Sequence, residues 1–171
     1  DKRGDLFLIE KDGLDWKLPV RLPAPINSEE FEGSGCLSPD KKWLIFSSSR
    51  PGGQGSFHRK GELFHGDRWG NQDLYVCEQI GENEWGPAIN LGPIINTPYA
   101  EISPFLHYDG KTLYFSSDGH PGFGRTDVFK SERISYDSWT EWTVPVNIGP
   151  LFNSPDNDFG YKVSADGNLM Y

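Results

Sequence analysis

The chain has 171 residues, a net charge of −9 and 14% aromatic residues, enough length and bulky apolar material for an ordered domain with its own core. The acidic balance repels a phosphate backbone or an anionic membrane surface, which argues against a nucleic-acid partner. No apolar run has the length of a membrane span, and no amino-terminal stretch reads as a signal peptide.

Glycine and proline punctuate short β-branched and aromatic runs, and no amphipathic helix is evident, so the reading is all-β. Self-comparison reveals repeats. Trp16, Trp85 and Trp142 lie 69 and 57 residues apart, and Asn27, Asn96 and Asn153 keep those offsets, as do Asp40, Asp109 and Asp166.

Taken in chain order, residues 5–10 and 17–22 form two strands of an incomplete first unit. Strands at 33–38, 43–48, 73–78 and 86–91 form the second, and 102–106, 112–117, 126–131 and 143–148 the third. Segments 160–164 and 168–171 begin a fourth. Asp109-Gly110 and Asp166-Gly167 suit tight hairpins, whereas Asp40-Lys41 lacks the glycine and calls for a different turn. Cys36 and Cys77 fall on non-adjacent strands of one unit, too far apart to bridge, and read as buried free thiols.

The strings LSPDKKWLIFSSSRPGG, SPFLHYDGKTLYFSSDGHPGFGRTDVF and WTVPVNIGPLFNSPDNDFG resemble the TolB-type WD-like β-propeller repeat, in the variety that accompanies OmpA-like envelope proteins. The resemblance implies a β-propeller of four-stranded antiparallel blades. Here 1–32 would be a half blade, 33–101 a blade with an insertion at 50–72, 102–158 a second blade and 159–171 another half. Two blades and two halves are too few to close, so a ring of about six blades would need the rest of the propeller from outside this chain.

Strand parity puts residues 49–72, 118–125 and the crossovers 23–32, 92–101 and 149–159 at one loop-rich end, the expected ligand face. Residues that recur in register are assigned to architecture. Asp5, Asp73 and Asp127 open equivalent strands, the three tryptophans pack between units rather than stack on sugar, and the three asparagines cap their own turns.

The non-recurring cluster His58, Arg59, Lys60, His65, Asp67, Arg68 and Trp69, with His120 and Arg125, forms the candidate ligand site. Arginine can clamp a carboxylate or phosphate, and tryptophan can stack on a sugar. Zinc lacks a ligand motif, and although Asp118, Asp127, Asp156 and Asp158 offer calcium oxygen donors, no EF-hand or Asp-Gly array accompanies them, so no cofactor is expected. GHPGFG is no phosphate loop, because no helix follows it; its glycines permit tight backbone turns.

The resulting expectation is a non-catalytic binding or scaffold module engaging a protein or a cell-wall glycan. By resemblance it is periplasmic or outer-envelope associated. The alternatives are a glycan-active hydrolase or lyase using carboxylates among Glu62, Asp67, Glu101 and Asp158, and the non-catalytic propeller of a peptidase.

Overall fold

The structure is a computed structural model describing residues 4–57 and 71–171. The described chain is all-β. Its first strands are β1 (Phe7–Leu8), β2 (Lys11–Asp12), β3 (Asp15–Trp16) and β4 (Val20–Arg21). There follow β5 (Glu32–Leu37), β6 (Trp43–Ser48), β7 (Asp73–Gly81), β8 (Glu84–Trp85) and β9 (Ile89–Asn90), then β10 (Glu101–Leu106), β11 (Thr112–Ser117), β12 (Asp127–Glu132) and β13 (Val146–Asn147).

These strands form four separate sheets: the pairs β1-β4 and β2-β3, the sheet β5-β6-β7 with β8 and β9 both on β7, and the meander β10-β11-β12-β13. Antiparallel pairing puts Ile45 opposite Val76 and Phe46 opposite Tyr75, so alternate residues of β6 and β7 supply two apolar faces. One face joins Phe46, Tyr75, Cys77 and Trp85 to Leu22 and Ile26. The other joins Ile45, Leu74 and Val76 to Leu113, Phe115 and Phe129.

The propeller expectation is overturned. The sheets neither curl into blades nor close into a ring, and residues 160–171 contribute only the isolated bridge Val163–Met170. The strands around residues 5–22 are two residues long, so they make too few ladder bonds to build a half blade. With no closure under way, there is no call for further blades, and the turns do not assemble into a single closed loop-rich face. Both cysteines are free, with β6 between their strands; Cys77 is buried, but Cys36 is only partly so.

Local chain chemistry nonetheless repeats closely. β5 and β10 each carry a bulge, and Ser34 and Ser103, 69 residues apart, sit there with φ of 37° and 52°. The Asp40-Lys41 turn is not of a different kind. Lys41 adopts φ 62° where Gly110 and Gly167 have 67° and 73°, and its amide donates to Ser38 as theirs do to His107 and Ser164. A side chain in this left-handed region costs roughly 1 kcal/mol. Lys41→Gly should therefore raise stability by about 0.5–1 kcal/mol, and Gly110→Ala should lower it by about 1 kcal/mol or more, measured by urea unfolding.

Candidate functional site

Each joint between successive sheets sets a largely aliphatic face against one rich in aromatic side chains, with Leu44 joining the aromatic side of the first and Trp43 meeting Trp139 across the second. At the first joint Leu6, Leu8, Leu22 and Ile26 meet Phe46, Tyr75, Cys77 and Trp85. At the second, Leu74, Val76, Leu91 and Ile95 meet Phe115, Phe129, Trp139 and Trp142. The two aliphatic sets correspond in sequence, with Leu22 and Ile26 preceding Leu91 and Ile95 by 69 residues, and Leu6 and Leu8 preceding Leu74 and Val76 by 68.

The aromatic faces correspond in the same way, and there the first unit stands apart. Tyr75, Cys77 and Trp85 are 5%, 0% and 9% exposed, and Phe129, Ser131 and Trp142 are 1%, 1% and 3% exposed. Their counterparts Phe7, Ile9 and Trp16 are 55%, 47% and 67% exposed. Two of the three tryptophans thus pack between sheets as expected, and the third is exposed on the β2-β3 pair, outside both apolar clusters.

Polar side chains hold the crossovers leading into β5 and β10. Glu32 accepts from the Ser28 amide and from the Ser28 and Ser48 hydroxyls, and Arg50 pairs with it at 3.3 Å. Glu101 accepts from the Thr97 amide and from the Thr97 and Ser117 hydroxyls at 2.7–2.8 Å. In the next crossover Asp158 takes the Ser154 amide and hydroxyl. Glu101 is 0% exposed, so it has no surface to offer a glycan, and the carboxylate role weighed for it is replaced by an architectural one.

Burial pushes the Glu101 carboxyl from 4.5 up to about 8, against three donated hydrogen bonds that favour the ionised form. The folded state therefore holds this proton more tightly than the unfolded chain. Its contribution to stability is complete below pH 4.5 and is lost as pH rises through about 8. Glu101→Gln should abolish that part of the slope, as read by urea unfolding at pH values spanning the window.

The recurrent asparagines do more than cap their own turns. Asn96 takes the Leu74 amide and donates to the Leu74 carbonyl, Asn153 does the same to Val128, and Asn27 does so to Leu6. Each clamps a residue more than twenty positions earlier, Leu74 in β7, Val128 in β12 and Leu6 just before β1. Asp73 accepts from the Gln54 amide and the Asn90 side chain, and burial pushes it up to about 6. Asp127 accepts from the amides of Phe123 and Gly124. Asp5 instead forms an exposed two-pronged pair with Arg21.

Among the predicted ligand residues, His58, Arg59, Lys60, His65, Asp67, Arg68 and Trp69 lie outside the described residues, as does Glu62. His120 and Arg125 share a loop but face different partners. The His120 ring meets the Ile95 carbonyl at 2.8 Å, whereas exposed Arg125 donates its amide to Asp156.

Of the four aspartates considered for calcium, Asp118, Asp127 and Asp158 each give a carboxylate oxygen to a different backbone amide and Asp156 accepts through its main-chain carbonyl, and among the described residues no three His, Cys, Asp or Glu side chains form a metal-binding group. The glycines of GHPGFG are needed for close approach rather than for positive φ: a Cβ on Gly122 would overlap the Asp127 carboxylate.

The residues that sequence reasoning passed over are Arg50, Glu32 and the Phe7–Ile9–Trp16 face. Matching offsets link Ser28 to Thr97, Glu32 to Glu101 and Ser48 to Ser117, which could have exposed the crossover motif. No signal in the sequence separates Trp16 from its buried counterparts. No protein-family model and no curated protein matches this chain. With its sheets also unclosed, the resemblance to TolB-type, OmpA-associated repeats stops at short turn and strand strings, and membership of that family is withdrawn.

Proposed function

We propose that this chain is a sheet-docking module whose Phe7, Ile9 and Trp16 face binds another protein through an antiparallel sheet bearing aliphatic side chains. The observation that carries the reading is the exposure of this trio, whose counterparts are covered at both internal joints by an aliphatic set. The surface continues an interface that the molecule already makes twice, and those joints specify the chemistry of what would cover it. Large aromatic anchors such as Phe7 and Trp16 are the residue types that dominate association energies.

A second copy of the chain is the poorer occupant. The aliphatic positions of its third unit include Val128 and Lys130 where the earlier units carry Leu6 and Leu8 or Leu74 and Val76. The net charge of −9 adds long-range repulsion between copies. The reading differs from a loop-end ligand site, since it uses the face of a sheet.

Because Trp16 buries little within the chain, Trp16→Ala should change unfolding free energy by no more than about 0.5 kcal/mol. Trp142→Ala should cost about 3–5 kcal/mol, since it empties a packed joint. A photo-crosslinking residue at position 16, with one at exposed Tyr108 as control, tests the docking itself. Adducts specific to position 16 that map to the apolar face of a partner's sheet are expected. Adducts confined to glycans, to loops or to a second copy would sink the reading.

A further inference from the structure

Arg50 and His120 occupy matched seats at the two joints. The Arg50 guanidinium donates to the Ile26 carbonyl at 2.6 Å and lies 5.1 and 5.0 Å from the Phe46 and Tyr75 rings. Its backbone amide donates to Ser48, whose hydroxyl donates to Glu32. The His120 ring meets the Ile95 carbonyl and lies 5.8 and 5.3 Å from Phe115 and Phe129. Its amide donates to Ser117, whose hydroxyl donates to Glu101. Ile26, Glu32, Phe46 and Ser48 each precede Ile95, Glu101, Phe115 and Ser117 by 69 residues, so the same cradle is built twice.

The occupants differ in one property. Arginine stays charged at every accessible pH, whereas imidazole gains or loses a proton near neutrality. We propose that His120 makes the joint between the β5–β7 and β10–β12 sheets a proton-sensitive latch, while Arg50 makes the preceding joint permanent.

The Ile95 carbonyl can only accept, so the neutral ring holds its hydrogen on Nε2, and an added proton goes to Nδ1. Among the described residues, the acidic groups on the elements packed about the seat have other partners: Glu101 on β10 takes Ser117, Asp73 on β7 takes Gln54 and Asn90, Asp127 on β12 takes Phe123 and Gly124, and Asp118 in the loop takes the Ala100 amide. At the first joint a carboxylate oxygen stands 3.3 Å from the Arg50 guanidinium. At the second, Glu101 is held by Thr97 and Ser117, and burial favours its neutral form.

Among the described residues, a cation formed on His120 thus enters a half-buried aromatic seat without the counter-charge that Arg50 has. Burial accordingly lowers the His120 value from 6.5. The latch's contribution is present above pH 6.5 and is lost as pH falls through the lowered folded-state value. The Glu101 contribution runs in the opposite sense, strengthening as pH falls, which keeps the two separable.

The test is a carbon-detected titration of the histidine rings in the intact chain, with His120 assigned by through-bond correlation to its own backbone, beside amide hydrogen exchange of residues 118–126. His120 should titrate below 6.5, and loop protection, corrected for intrinsic exchange, should be lost in step with it. Exchange in His120→Gln should show no such step, whereas Glu101→Gln should keep it. A His120 titration at or above 6.5 overturns the proposal, as does an acid-induced loss of protection that persists in His120→Gln. The wild-type titration decides the matter even if the variants fold poorly.

Discussion

Aliphatic-on-aromatic packing between successive sheets carries this molecule, because among the described residues no hydrogen-bond ladder joins one major sheet to the next. Each large apolar side chain buried at a joint contributes about 1.5–3 kcal/mol, against roughly 0.5–1.5 kcal/mol for a net hydrogen bond. The alternation of side chains along β6 and β7 makes this arrangement available: one short strand supplies an aliphatic face on one side and an aromatic face on the other. A strand so built presents apolar side chains on both faces of its sheet. At the first unit the aromatic side stays at the surface, where Phe7, Ile9 and Trp16 are exposed.

The polar groups beside these joints follow from the same constraint. A chain crossing between packed sheets brings backbone amides into low-dielectric surroundings, where an unpaired group is costly. The carboxylates Glu32 and Glu101 and the clamping asparagines answer that need with side-chain hydrogen bonds. Charge neutralisation is then a separate matter, handled differently at each joint. Arg50 compensates Glu32 directly, whereas His120 fills the aromatic seat beside Glu101 without a permanent charge.

This division of labour separates structural repetition from functional divergence. Positions that recur and are buried at both joints, such as Trp85 and Trp142, maintain the packing. Positions where the repeat breaks its own rule are where distinct behaviour enters: an exposed member of an otherwise buried trio, or a titratable ring in place of a guanidinium.

The sequence by itself determined the all-β character, the placement of β6 and β11, and the repeat offsets, because strand alternation and turn residues act over a few neighbours. It misread the Lys41 turn, since a hydrogen bond to Ser38 and the flanking strands hold a lysine where glycine is the usual choice. Sheet closure depends on pairing between distant segments, and turn strings are silent about it; the propeller inferred from them did not form. Burial is likewise a property of what lies opposite. Trp16, Trp85 and Trp142 occupy the same place in their repeats, and only tertiary packing decided which two would be core and which would face outward.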